Sequence, residues 1–373
     1  MAHRFDREPT ALFGKIRKLI ETEGPIGVDR YFHLCVADPE FGYYRTREPF
    51  GTAGDFVTAP EISQLFGEMV GLFLVRAWQE AGWPTAMKLC ELGPGRGTLM
   101  ADILRVLKQV TPTLYAACEV HLVETSERLR MIQAETLSRS GKTIAWHEQI
   151  EDVPAGPAMI VANEFLDALP VRQFVMRDGR FLERVVALDE DGALRFAAGQ
   201  ARPDVVLPED AIAQPEGTIH EQAPLREAVA LTIADRLARQ DGLALFIDYG
   251  HIVSGYGDTL QAVRRQAFDD PLAHPGEADL TSHVDFEAIA AACESVGGQA
   301  LLPMTQGDFL IKMGLVERAG LLGRDKTSAQ QAAISEAVER LAGHGPGKMG
   351  ELFKVLAVTG SKGVPAPFRS RAA

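Results

Sequence analysis

The chain has 373 residues, 46% hydrophobic and 24% charged, enough for one large domain with insertions or two ordinary ones with full cores. Its formal net charge of −13, with no dense Lys/Arg stripe, argues against a nucleic-acid partner, because phosphate binding needs a basic footprint. No apolar run approaches the roughly 18 residues that span a membrane, so membrane insertion is not expected. Cys35, Cys90, Cys118 and Cys293 are far apart, with no CxxC pair, and read as buried small hydrophobes in a reducing compartment. Met1 to Ile20 mixes Arg and Lys with Asp6 and Glu8 and lacks an apolar signal core, so a cytoplasmic location is expected.

In chain order, residues 9–23 suit an amphipathic helix with Leu12, Ile16, Leu19 and Ile20 on one stripe. Glu40 to Pro60, rich in Gly, Pro and aromatic residues, reads as an ordered loop, and a long helix is predicted from Glu61 to about Ala81. Tyr43-Tyr44 within that loop reads as core. The chain then alternates, with strands predicted at 87–92, 119–124, 143–147, 158–162 and 243–248. Helices are predicted between them at 97–109, 126–140 and 225–240. Repeated strand–helix–strand argues for a mostly parallel sheet covered on both faces. Residues 171–200 read as a β-meander, with turns at Asp178-Gly179 and Asp191-Gly192. A polar connection follows over 201–220, and 251–283 is a long segment with little periodicity of its own, the kind that is usually functional or disordered. A helix at 284–296, a strand pair around 300–313, a helix near 327–342 and a strand at 351–358 complete the pattern.

These shifts divide the chain into an N-terminal helical and loop region over 1–82 and a Rossmann-like α/β core over 83–170 and 221–360. The core carries an inserted β-rich segment at 171–220 and a lid or substrate loop at 251–283, and a tail follows over 361–373.

The sharpest motif is Glu91-Leu92-Gly93-Pro94-Gly95-Arg96-Gly97, where a hydrophobic strand meets three glycines at alternate positions and then a helix. Glycine lets the backbone turn sharply and approach a ligand with no side chain between. A dinucleotide fingerprint needs G-x-G-x-x-G and an acid about 20 residues on. Here the third glycine comes one position early, and the acid that ends the next strand, Glu124, lies 31 positions after Gly93. A P-loop is absent, since Gly347-Lys348 is followed by Met349. The E-x-G-x-G-x-G turn of Rossmann-like methyltransferases fits, with S-adenosylmethionine as cofactor. Cofactor contacts are then expected from Glu91, Gly93, Pro94, Gly95 and Gly97 at the methionine end, and from Glu124 at both ribose hydroxyls. His147, closing the third strand, falls where the adenine needs a polar contact. A plain tight strand–helix turn is the alternative.

The fourth strand runs into Asn163-Glu164, at the edge where ligands sit in open α/β sheets. Asn163 is the only asparagine of the chain, and it suits either a ligand contact or a helix N-cap. If a guanidinium accepts the methyl group, carboxylates are wanted to fix its plane, since Arg stays protonated at ordinary pH. Glu164 is the first candidate, with Asn163 beside it, and Asp55 the second; Asp167 reads as a surface or capping carboxylate.

With Gly54 to Ser63, Glu91 to Gly97 and Asn163 to Pro170 in view, the chain closely resembles the MidA-type methyltransferases, relatives of a mitochondrial complex I assembly factor that methylates an arginine. The likeness continues through Gly257 to Gln261, Pro275 to Phe286 and Met349 to Leu356, and so covers roughly residues 9 to 359. The resemblance implies an α/β fold with a class I methyltransferase sheet, an N-terminal helical region and an inserted β-meander and lid lobe. It implies symmetric ω-N-dimethylation of an arginine in an NADH dehydrogenase core subunit, a protein partner, by a bacterial member of the family. Gln266 stands where relatives are expected to carry His, which removes a general-base candidate there.

His251, His274, Asp279 and His283 match no zinc or iron spacing, and no metal is expected. Three other activities remain open from the sequence: a small-molecule methyltransferase, a non-catalytic assembly chaperone that keeps the ligand pocket, and, weakest, a dehydrogenase.

Overall fold

Strands that are apolar along their whole length must be covered on both faces, and the central strands of this chain are of that kind. The structure is a computed structural model describing residues 10–46, 58–202, 205–360, 363–369 and 371. The chain forms two units. One combines Met1–Phe56, Asp167–Arg226 and Gly255–His283; the other combines Val57–Leu166, Glu227–Ser254 and Val284–Ala373.

The second unit is built on one mixed sheet. Its main path runs Ile144–His147, Glu119–Val123, Lys88–Leu92, Ala158–Asn163, Gly242–His251, Phe353–Thr359 and Gln299–Ala300. The first five strands of that path are mutually parallel, and Phe353–Thr359 runs antiparallel to both its neighbours. Every residue of Ala158–Asn163 is buried, as are the first nine of Gly242–His251. Leu89, Val120, Leu122, Met159, Val161, Leu243, Leu245, Val355 and Ala357, at alternate positions, join a core with Phe73, Met100, Ile103 and Phe309 from the helices Gln64–Ala81, Thr98–Val110 and Gln306–Lys312. The strand order reverses at Lys88–Leu92: the next strand in sequence lies on one side and the fourth on the other. Open α/β sheets bind ligands outside the carboxyl ends of the strands at such a reversal.

In the first unit, Ile26–Gly27, Arg180–Leu188, Arg172–Arg177 and Ile219–Gln222 pair antiparallel in that order, with Leu194–Ala198 added to Arg180–Leu188. Asp178 and Gly179 both have positive φ, as the predicted two-residue hairpin requires. The helices Ala11–Glu23 and Val28–Ala37 give Leu12, Ile16, Ile20, Tyr31 and Phe32 to a core shared with Val186, Leu194, Ala262 and Leu280.

Several expectations change. The helix expected from Glu61 is two: Ala59–Ile62, then Gln64–Ala81 capped by Ser63, whose hydroxyl accepts from Leu65 N. That longer helix groups with the sheet unit. The segment 251–283 is not structureless: Gln261–Arg264, Ala267–Asp269 and Asp279–Thr281 form a small antiparallel sheet, and Gly255–His283 groups with the first unit. The pair expected over 300–313 shrinks to two-residue strands at 299–300 and 304–305, followed by a helix. Val28–Ala37 and Leu315–Gly323 are helices the periodicity did not single out. Among the described residues, no helix is long and apolar enough to cross a membrane.

Candidate active site

Strand register brings the expected residues of the sheet unit into one row. Glu91 pairs across with Leu122 and Val161, and Leu92 with Val123 and Ala162. Gly93, Glu124 and Asn163 therefore follow together at the carboxyl ends of three adjacent strands. Gly93, Gly95 and Gly97 have φ of +59°, +51° and +81°, a left-handed run that other residues adopt only under strain. A Cβ on Gly93 would lie 2.8 Å from the Phe165 ring, so the bend is bare for a steric reason. Gly97 leads directly into the helix Thr98–Val110, as expected.

Glu91 is 3% exposed, and burial pushes its carboxyl up to about 8. Its Oε2 has no hydrogen-bond partner. Asn163 is 8% exposed; its Nδ2 donates to Glu164 Oε1 (3.2 Å), and its Oδ1 is likewise unpartnered. Buried acceptors without donors are costly. Two of them beside a bare glycine bend suit a ligand that brings cationic N–H groups, as the methionine end of S-adenosylmethionine does.

Glu124 follows directly on the second strand of the unit. Its Oε1 accepts from Ser126 N (2.8 Å) and its Oε2 from Gln133 Nε2 (3.2 Å). Burial raises its carboxyl above the ordinary range, opposed by the N–H groups of Ser126 and Gln133. Backbone N–H groups and one amide thus orient the carboxylate, and since a carboxylate offers about four acceptor sites, capacity remains for ribose hydroxyls. His147 closes the third strand as expected, but its Nε2 meets His121 Nδ1 at 2.9 Å. Its backbone carbonyl accepts from Glu124 N (2.9 Å) and Arg130 (3.1 Å). Burial lowers both imidazoles, that of His121 to about 4.

The helix that the N-cap alternative for Asn163 would require is not formed. Asn163 is the last residue of its strand and no regular helix follows, so the N-cap role is withdrawn. Glu164 instead takes a left-handed φ of +50°, and its Oε1 accepts from Ala59 N (3.1 Å). The turn is fastened by Asp248, 1% exposed, whose Oδ2 accepts from Leu166 N (3.0 Å). Asp55 lies outside the described residues, although Ala59, bonded to Glu164, follows four positions later. Asp167, read as a surface or capping carboxylate, is only 5% exposed, so it is not a surface group. His251 lies 3.6 Å from Asp285 and His274 lies 2.6 Å from Asp269, while Asp279 accepts from Tyr44. Gln266 sits at a hairpin turn with φ +61°. Sequence reasoning missed Gln133, Phe165 and Asp248; Gln133 lies on a helix whose polar positions outwardly resemble a solvated face.

A family profile described as "Putative S-adenosyl-L-methionine-dependent methyltransferase" matches residues 69–304. The chain belongs to that family. It is 34% identical to the "Protein arginine methyltransferase NDUFAF7 homolog, mitochondrial" of Drosophila melanogaster, over 93% of this chain and 84% of that one. With the human mitochondrial protein arginine methyltransferase NDUFAF7 it shares 35%, over 91% and 81%. A Burkholderia thailandensis protein crystallised with S-adenosyl-homocysteine superposes with a TM-score of 0.82 at 30% identity, covering 97% of this chain and 96% of that one. The protein is thus an S-adenosylmethionine-dependent methyltransferase, and the dehydrogenase alternative falls.

Two outcomes follow. Gly93→Ala adds left-handed strain of about 1–2 kcal/mol and pushes against Phe165, so cofactor affinity measured by calorimetry should fall by at least about tenfold; unchanged affinity contradicts the bend's role. Below about 8 the Glu91 carboxyl is neutral, and a cationic ligand favours its ionised form. Binding at pH 7 should therefore release a proton, with affinity rising as pH approaches that value and levelling above it. Calorimetry in buffers of different ionisation enthalpy reads the release, which Glu91→Gln should lack; equal release from both proteins contradicts the assignment.

Proposed function

We propose that the protein methylates an arginine of a protein substrate, giving the symmetric ω-N-dimethyl product on an NADH dehydrogenase core subunit or its bacterial counterpart. When bound, S-adenosylmethionine would supply an electrophilic methyl group, whose bond to sulfur breaks as its bond to nitrogen forms, leaving S-adenosylhomocysteine. Glu91, Asn163 and the Gly93–Gly97 bend hold the methionine end, Glu124 holds the ribose, and the end of the third strand at His147 borders the adenine. Glu164 accepts N–H groups of the guanidinium, fixes its plane and takes the proton released as the new N–C bond forms. Asp55 is the second carboxylate candidate.

The observation that carries this reading is the geometry at Glu164: a carboxylate in a strained left-handed turn at the cofactor edge, with one oxygen directed by Asn163 and by Ala59 N. Backbone strain of that kind persists where the surroundings enforce it, and it clusters at functional sites. The arginine activity named for the relatives above supports the choice of acceptor. A cytoplasmic location is part of the proposal, supported by four buried cysteines that are all unpaired.

Labelled S-adenosylmethionine incubated with the protein and a cognate NADH dehydrogenase core subunit should label arginine, recovered as symmetric dimethylarginine. Glu164→Gln should lower kcat by about 100-fold or more while leaving cofactor affinity largely unchanged. Label appearing only on a small metabolite, or none while the cofactor is bound, would count against the proposal.

A further inference from the structure

The carboxylate at the second strand and the glycine bend after the first come from separate stretches of chain, and one side chain ties them together. Gln133, on the helix Glu127–Leu137, is 0% exposed. Its Nε2 donates to the carbonyl of Gly95 (2.8 Å) and to Glu124 Oε2 (3.2 Å). Its Oε1 accepts from the indole Nε1 of Trp146 (2.9 Å), on the third strand. The amide can sit only one way round. An indole N–H donates and cannot accept, so Oε1 must face Trp146, and both N–H groups are then left for the carbonyl and the carboxylate. The helix also lies close to the bend: a Cβ on Gly97 would stand 3.5 Å from the Gln133 Cα.

We infer that Gln133 is a positioning residue for the cofactor's ribose, locking the Glu124 carboxylate, the glycine bend and the third strand into one arrangement before the ligand arrives. The inference rests on the reading of Glu124 as the ribose acceptor. A glutamine needed only to fill space could be an apolar residue of the same size. An apolar residue here would strand a carbonyl, an indole N–H and a carboxylate oxygen together in partly buried surroundings. Gln133 fixes the direction of Glu124 Oε2, while Ser126 N fixes that of Oε1. The carboxylate therefore meets a pair of vicinal hydroxyls without reorganising, and preorganised acceptors bind more tightly for that reason. The amide also opposes the effect of burial on Glu124, keeping it ionised to lower pH.

The test is a chemical double-mutant cycle on the full chain, using S-adenosylhomocysteine and its 2′-deoxy and 3′-deoxy analogues with the wild type and Gln133→Met. Wild type should bind the deoxy analogues about tenfold more weakly than the parent compound. Gln133→Met should bind the parent about tenfold more weakly and discriminate little between it and the analogues, with the acid limb of its binding profile moved to higher pH. Trp146→Phe removes only the indole N–H and so perturbs the fold less; it should show the same pattern with a smaller loss. If a variant discriminates the analogues as wild type does, Gln133 serves packing alone and the inference is overturned. If wild type itself does not discriminate, the Glu124 reading fails first, and that failure shows in the wild-type measurements alone.

Discussion

Everything at the candidate site depends on a short bend of backbone whose three alternate glycines are left-handed. Gly93, Gly95 and Gly97 turn the chain from the central strand into the helix that follows, and the Phe165 ring stands where a Cβ on Gly93 would have to go. Because Phe165 follows the fourth strand, the bend and the turn at Glu164 are held against one another. Moving either changes the crevice that both border.

Polar groups are buried around this bend with unusual economy. Gln133 satisfies three partners with one amide, and Asp248 supplies an acceptor to the Glu164 turn. Glu91 Oε2 and Asn163 Oδ1 are left without donors. Folded proteins satisfy most buried acceptors, and two orphans toward the carboxyl ends of adjacent strands suit the proposed ligand, which would complete the hydrogen bonding. The raised carboxyl of Glu91 is in keeping with that proposal, since burial penalises its charge and a cationic ligand would offset the penalty.

Much of this was legible in the sequence, for identifiable reasons. The parallel strands are apolar on both faces and bounded by turns, so their limits fall within a few residues of expectation. The glycine triplet is readable because its conformation excludes other residues. What escaped notice depends on contacts distant in sequence. Gln133 is bonded to residues 38 and 9 positions before it and 13 after it, and nothing local distinguishes it from a solvated glutamine. Asn163 resembles a cap because the helix it would start is plausible on propensity alone; the Asp248 carboxylate and the left-handed Glu164 take the chain elsewhere. The small sheet in 255–283 hid because strands of three or four residues are too short to establish an alternation.

A crystal structure of the protein with S-adenosylhomocysteine tests the central claim most directly. The account predicts the homocysteine backbone lying along Gly93–Gly97 and both ribose hydroxyls about 2.5–2.7 Å from the Glu124 carboxylate. A ligand seated away from the bend, or Glu124 turned out of the crevice with the ribose held by other groups, would contradict it.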